Sequence, residues 1–283
     1  MKTSASLFLT DILPHRRKLY HKVVKSKLFS KHTPDEVFSQ LKKVGLDGIE
    51  VILPSFQDIN DHQLKEVKTL LDAHNLPIFS VHQKLRFFTK TKVAEITHLF
   101  HVADLVGSKV IVLHMSNAGK QLFNENYKTL LHSLQKKYGI TIGFENMEKY
   151  FGSYFAPHRW HHDKFASLIE ETDFNVTFDT THLAHSGGDI IEFFKKNKSR
   201  IINIHLSDYK HHILNSNFRP LRFKHLPLGH GELPMQEFIA LLVKEQYKGL
   251  LTMEINGDLA GICESAEIIT AVRKKHEKKK AKP

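Results

Sequence analysis

Short apolar runs rich in Val, Ile and Phe alternate with longer stretches whose apolar residues recur every three or four positions. The short runs predict eight strands, near 5 to 10, 47 to 53, 77 to 82, 109 to 114, 140 to 145, 175 to 180, 201 to 206 and 250 to 255. The longer stretches predict helices with legible ends. Thr33-Pro34-Asp35-Glu36 supplies an N-cap, a proline at the first helical position and early acids, and Gly45 closes that segment. Asp61 begins a second helix with Leu64, Val67, Leu70 and Leu71 on one face, closed by Asn75 and Pro77. The same grammar recurs at 91 to 107, 120 to 138, 160 to 171, 187 to 198, 234 to 248 and 264 to 280. Strand-then-helix units build parallel sheet, and eight of them predict an α/β fold closed as a (β/α)₈ TIM barrel.

Composition narrows this without changing it. Such a barrel typically takes about 250 residues, so residues 1–283 are expected to form one domain, with a basic loop at 12–31 and a basic tail at 273–283. Hydrophobic residues at 41% and charged residues at 25% supply a core and argue against disorder away from the ends. Cys263 is the sole cysteine, which excludes an intramolecular disulfide and a Cys-rich zinc module. The apolar stretch Leu7 to Leu9 is broken by Asp11 before a signal-peptide core is complete. No run approaches the roughly 18 apolar residues of a membrane span. A cytoplasmic protein with no membrane partner is expected.

The formal charge of +11 raises nucleic acid as a partner, so its distribution matters. Residues 12–31 hold Arg16, Arg17, Lys18, Lys22, Lys25, Lys27 and Lys31 with no acid, and residues 273–283 hold seven basic residues against Glu277. Outside these segments 27 basic and 29 acidic residues remain, a net of −2. A barrel body of that charge is a poor duplex-binding surface.

Six apolar runs finish on an ionisable, metal-competent residue: His82, His114, Glu145, Asp179, His205 and Glu254, separated by 32, 31, 34, 26 and 49 residues. In a (β/α)₈ barrel the C-terminal strand ends converge on one face, so these six would meet. Three carboxylates converging at the mouth of an apolar barrel would each cost several kcal/mol in desolvation and repulsion. A cation is the compact remedy. Glu145, Asp179 and Glu254 with His205 make a hard, oxygen-rich site that accepts Mn²⁺, Zn²⁺, Co²⁺ or Mg²⁺. His182, three residues after Asp179, would point into the same mouth and could bind a substrate hydroxyl.

The chain resembles the xylose isomerase-like TIM-barrel superfamily, which includes sugar and sugar-phosphate isomerases and epimerases and endonuclease IV. The resemblance runs from about Thr33 to Asn256 and rests on VGLDGIEVIL at 44–53, FEN at 144–146, FDTTHLAHSGGD at 178–189, IHLSD at 204–208, HLPLGHGELP at 225–234 and MEI at 253–255. It implies one divalent metal on Glu145, Asp179, His205 and Glu254, with Glu145 and Glu254 also serving as the acid and base. The implied activity is isomerisation or epimerisation of a small carbohydrate, sugar or sugar phosphate, through an enediolate stabilised by the metal. Dehydration uses the same proton abstraction and then expels a hydroxyl.

Resemblance to endonuclease IV implies a different activity, abasic-site cleavage of nucleic acid by a zinc cluster. His82, His114, Glu145, Asp179, His182, His205, His225 and Glu254 match zinc-ligating positions there, but the ninth falls on Phe223, leaving the third site only His182 and His225. His82, His114, His182 and His225 thus offer a second metal position or contacts to substrate. Arg16, Arg17, Lys18 and Arg222 offer contacts to a substrate phosphate, unless Leu19 to Phe29 forms an extra helix with a solvated basic face. The segment Tyr209 to Lys224, with Arg219 and Arg222, and His230, where family members often carry an acid, are further expected sources of specificity.

Overall fold

The computed structural model describes residues 1–13, 32–53, 59–83, 92–114, 124–148, 162–211, 224–256 and 258–280. Eight parallel strands form a closed barrel in chain order, each paired with its sequence neighbours and β1 with β8. They are β1 Lys2–Phe8, β2 Gly48–Ile52, β3 Ile78–His82, β4 Val110–His114, β5 Thr141–Glu145, β6 Asn175–Asp179, β7 Ile201–Leu206 and β8 Leu250–Met253. The described helices, in chain order, are α1 Leu9–Ile12, α2 Pro34–Lys43, α3 Asp61–Ala73, α4 Val93–Leu105, α5 Glu125–Tyr138, α6 His162–Thr172, α7 Thr180–His185, α8 Ile190–Asn197, α9 Met235–Lys244 and α10 Leu259–Lys280.

Local chemistry sets the helix ends. Thr33 and Glu36 close a reciprocal capping box on α2, and Asn60 and Gln63 do the same on α3. Gly139 caps α5 in the left-handed region, at φ 61°. The helices bury their apolar stripes against the outward faces of the strands, where Phe38, Phe100, Phe165, Phe178 and Phe238 are fully enclosed.

Three expectations shift. β1 starts at Lys2 rather than near residue 5, and its apolar continuation turns into the short α1, because a short apolar run suits strand and buried helix alike. The last helix starts at Leu259, five residues before position 264. α7 was not expected, since TTHLAH is too short to show a helical period.

The barrel interior is also not apolar. Ser4 Oγ lies 2.9 Å from Thr252 Oγ1, Thr252 donates to Asn203 Oδ1 at 2.9 Å, and Asn203 Nδ2 donates to Glu50 at 3.2 Å. Ser6 and Ser80 also donate to Glu50, at 2.9 and 2.7 Å. These small polar residues occupy alternate strand positions, so each looks isolated in sequence although together they form one connected network.

Candidate metal centre

Two residues beyond Ser80, Gly143, Thr177, Asn203 and Thr252, the same alternation aims His82, Glu145, Asp179, His205 and Glu254 at the C-terminal mouth. Gly143 permits the packing behind Glu145, because a Cβ there would lie 2.5 Å from Thr177 Oγ1. His205 Nδ1 stands 2.8 Å from Glu254 Oε2, 3.2 Å from Glu145 Oε1 and 4.0 Å from Asp179 Oδ2. One ligand atom from each of the four lies within 4.8 Å of all the others. Glu145, Asp179 and His205 are fully buried, and Glu254 is partly open to the mouth.

These residues fit a divalent ion. Glu145 Oε2, Asp179 Oδ2 and Glu254 Oε2 are buried together; the first and last face imidazole nitrogens at 2.9 and 2.8 Å, and Asp179 Oδ2 makes no hydrogen bond among the described residues. Gathering three buried carboxylates costs several kcal/mol in desolvation and mutual repulsion, which a shared cation would offset. Three carboxylates and one imidazole are a donor set suited to Mn²⁺, Co²⁺, Mg²⁺ or Zn²⁺.

The neighbouring backbone fixes the ligands. Asn146 donates its side-chain amide to Asp179 O at 2.9 Å and accepts from Asp179 N at 2.7 Å. Asp179 Oδ1 accepts from His182 N at 2.6 Å as the N-cap of α7, which leaves Oδ2 for the mouth. His182 Nδ1 lies 3.0 Å from Asn146 O; a carbonyl only accepts, so Nδ1 carries a proton there.

Three further groups adjoin the first among the described residues, one of them Glu50 with His82 and His205. His82 Nε2 lies 3.3 Å from His114 Nε2 and 3.2 Å from Glu145 Oε2, which is also 2.9 Å from His114 Nε2. Glu148, His182 and His225 likewise place one ligand atom each within 4.8 Å of one another. The pair His182 and His225 is therefore joined by a carboxylate that Phe223 was expected to leave missing. Glu148 also pairs with Lys224 and lies 3.3 Å from His185 Nδ1. His225 sits at φ 50°, held by Ser207 Oγ at 3.2 Å from its Nδ1 and by Asn256 N donating to its carbonyl at 2.7 Å.

Asp208 organises the rest of that loop. Its carboxylate accepts from the amides of Tyr209, Gly229, Gly231 and Leu233 at 2.8 to 3.1 Å, tying IHLSD to HLPLGHGELP. His230 lies outside the cluster, in a half-exposed pair with Glu264 on α10 at 3.2 Å. Arg16, Arg17, Lys18, Arg219, Arg222 and Phe223, and the proposed helix Leu19 to Phe29, lie outside the described residues.

The electrostatics are those of acids holding protons on histidines. Burial lowers His82, but its hydrogen bonds with Glu145 and Glu50 outweigh that and raise it to about 10. His182 rises to about 9 against burial, through Asp179, Glu145 and Glu148, and His205 rises well above its ordinary value through Glu50, Glu254 and Glu145. Glu254 is penalised by burial yet falls to about 2 beside His205. Burial raises Asp179, and the repulsion of Glu254 and Glu145 adds to it against the imidazoles of His182 and His225. His114 is lowered by burial.

A sequence profile described as xylose isomerase-like TIM barrel matches residues 38–274. The chain belongs to that family. An inosose dehydratase of Clostridium botulinum (strain Alaska E43 / Type E3) is 26% identical to this xylose isomerase-like barrel over 259 residues, 82% of this chain and 85% of its own. Among solved structures, a D-tagatose 3-epimerase-like protein superposes with a TM-score of 0.67 at 19% identity, covering 99% of this chain and 100% of its own. A xylose isomerase-like TIM barrel protein from Mycobacterium smegmatis in complex with magnesium gives 0.59 at 17% identity, covering 86% and 89%. At these identities the structures establish the fold. Among the described residues no helix is long and apolar enough to cross a membrane.

Sequence reading missed Glu50, Glu148, His185 and Lys224. Glu50 left a signal, an ionisable residue inside GIEVI, a strand buried along its whole length. Glu148 lies beyond β5, where no alternation marks it.

Proposed function

We propose that the chain is a divalent-metal-dependent enzyme that moves a proton at the carbon beside the carbonyl of a small polyhydroxylated compound, a sugar or a close relative. The observation that carries this reading is the buried set Glu145, Asp179, His205 and Glu254, three carboxylates and an imidazole whose ligand atoms lie within 4.8 Å of one another. Those four residues would hold the cation, which when bound supplies a positive charge for two adjacent substrate oxygens as negative charge develops on them. Glu145 from β5 and Glu254 from the end of β8 approach His205 from different strands. One removes the proton and the other returns one, which gives isomerisation or epimerisation. His182 Nε2, with Nδ1 held by Asn146 O, would meet a substrate hydroxyl.

Solvent exchange tests this reading. In deuterated buffer, ketoses and cyclic polyhydroxy ketones should gain deuterium beside the carbonyl only with metal-loaded protein. Chelation should abolish the exchange, and absence of exchange across a broad panel would refute the reading.

Dehydration is the second reading, favoured by relatives named inosose dehydratase. It shares the first proton abstraction and differs in the loss of a hydroxyl as water, so product mass and the absorbance of an unsaturated ketone separate the two. The grouping of Glu148 with His182 and His225 gives the endonuclease reading a structural footing as well. Chelator-sensitive nicking of an abasic duplex would displace the sugar reading in its favour.

A further inference from the structure

Below the mouth, Glu50 lies fully buried on β2 and reaches across the barrel. His205 Nε2 approaches it to 3.1 Å and His82 Nδ1 to 3.4 Å, while Ser6, Ser80 and Asn203 donate to the same carboxylate. Five groups from three other strands thus occupy its lone pairs, so Glu50 is poorly placed to ligate an ion itself. Its contacts with the two histidines have a directional consequence. A cation at the mouth must displace one ring proton, and the carboxylate of Glu50 then retains the proton on the nitrogen that faces it. For His205 the remaining nitrogen is Nδ1, which faces Glu254, Glu145 and Asp179 at 2.8, 3.2 and 4.0 Å. His82 Nδ1, 3.4 Å from Glu50, is too far to be held in the same way, so the consequence falls on His205.

We propose that Glu50 is a positioning residue that fixes the ring orientation and tautomer of His205, so that it presents a lone pair to a metal at the mouth. This rests on the metal-binding reading of the four-residue site. Hydrogen bonds to the far nitrogen of a ligating histidine fix the ring and raise its basicity, and losing one typically weakens metal affinity about 10- to 100-fold. Glu50→Gln keeps the volume but leaves one acceptor oxygen for His205 Nε2, Ser6, Ser80 and Asn203, and its amide opposes the rest. Ser80→Ala removes a donor to Glu50 and touches neither ring.

The test is titration of metal-free protein with Co²⁺, followed by its visible absorption, for wild type, Glu50→Gln and Ser80→Ala, with circular dichroism on each. The expected result is affinity about 10- to 100-fold weaker for folded Glu50→Gln and near wild type for Ser80→Ala. Folded Glu50→Gln that binds Co²⁺ as tightly as wild type would overturn the proposal while leaving the metal site intact, and so would an equal loss in both variants, which marks Glu50 as part of a structural network. Wild type that binds no Co²⁺ would overturn the metal-site reading and this inference with it. Nitrogen-15 spectra of histidine-labelled, Zn²⁺-loaded wild type decide the matter even if Glu50→Gln does not fold: a proton on His205 Nε2 with Nδ1 bound supports the proposal, and the reverse tautomer overturns it.

Discussion

Glu145 is the residue on which the mouth converges. Its two oxygens lie 2.9 to 3.4 Å from nitrogens of His82, His114, His182 and His205 while the side chain has no solvent exposure. Changing it to glutamine removes charge from two adjoining groups at once, so Glu145→Gln should weaken Mn²⁺ binding and also abolish exchange. Glu254→Gln, at the open side, should lower proton exchange by about 10²- to 10⁴-fold, the usual share of a positioned acid or base. Deuterium incorporation under single-turnover conditions checks both.

The pH behaviour of the metal-free protein follows from the same residues. His82 and His182 are raised in the folded state, so their stabilisation is full below their unfolded values near 6.5 and is lost as pH rises through about 9 to 10. Glu254 is lowered, so its stabilisation is present above about 4.5 and is lost as pH falls toward about 2. Thermal melts without metal should therefore fall off on both sides of a plateau between about pH 5 and 6.5. Ligation by His205 must displace a ring proton, so calorimetric titrations in buffers of different ionisation heat should show proton release that stays nearly constant from about pH 6 to 8. The six strand-end residues were legible because each ends an apolar run, whereas Glu50 lies mid-strand and Glu148 lies past one.

At the scale of elements, alternation located all eight strands, and capping residues located helices such as α2 and α3. What escaped was short or shared: α7 has six residues, and its cap, Asp179, is the last residue of β6. Caps that hydrogen-bond within their own helix should affect stability alone. Asn60→Ala removes the side-chain acceptor for Gln63 N and should cost about 1 kcal/mol in urea denaturation with metal affinity unchanged. Gly231→Ala is different, because a Cβ there would collide with the Asp208 carboxylate and Tyr209 O. Overpacking of this kind costs about 1 to 3 kcal/mol, and here it should also displace the loop carrying His225.

For the molecule as a whole, barrel closure turns His82 and Glu254, 172 positions apart, into neighbours of one carboxylate and one imidazole. The repeating strand-helix unit made that closure legible. The polar network through Ser4, Thr252, Asn203 and Glu50 was not, because its members become adjacent only when the barrel closes. A metal bound at the closed mouth should stabilise the whole fold, by about 2.7 kcal/mol when free ion exceeds its dissociation constant 100-fold, and chelator should remove that gain. The most direct test of the site is anomalous diffraction at the manganese edge from crystals grown with Mn²⁺. The account predicts a peak coordinated by Glu145, Asp179, His205 and Glu254; no peak among these four residues in Mn²⁺-saturated crystals would contradict it.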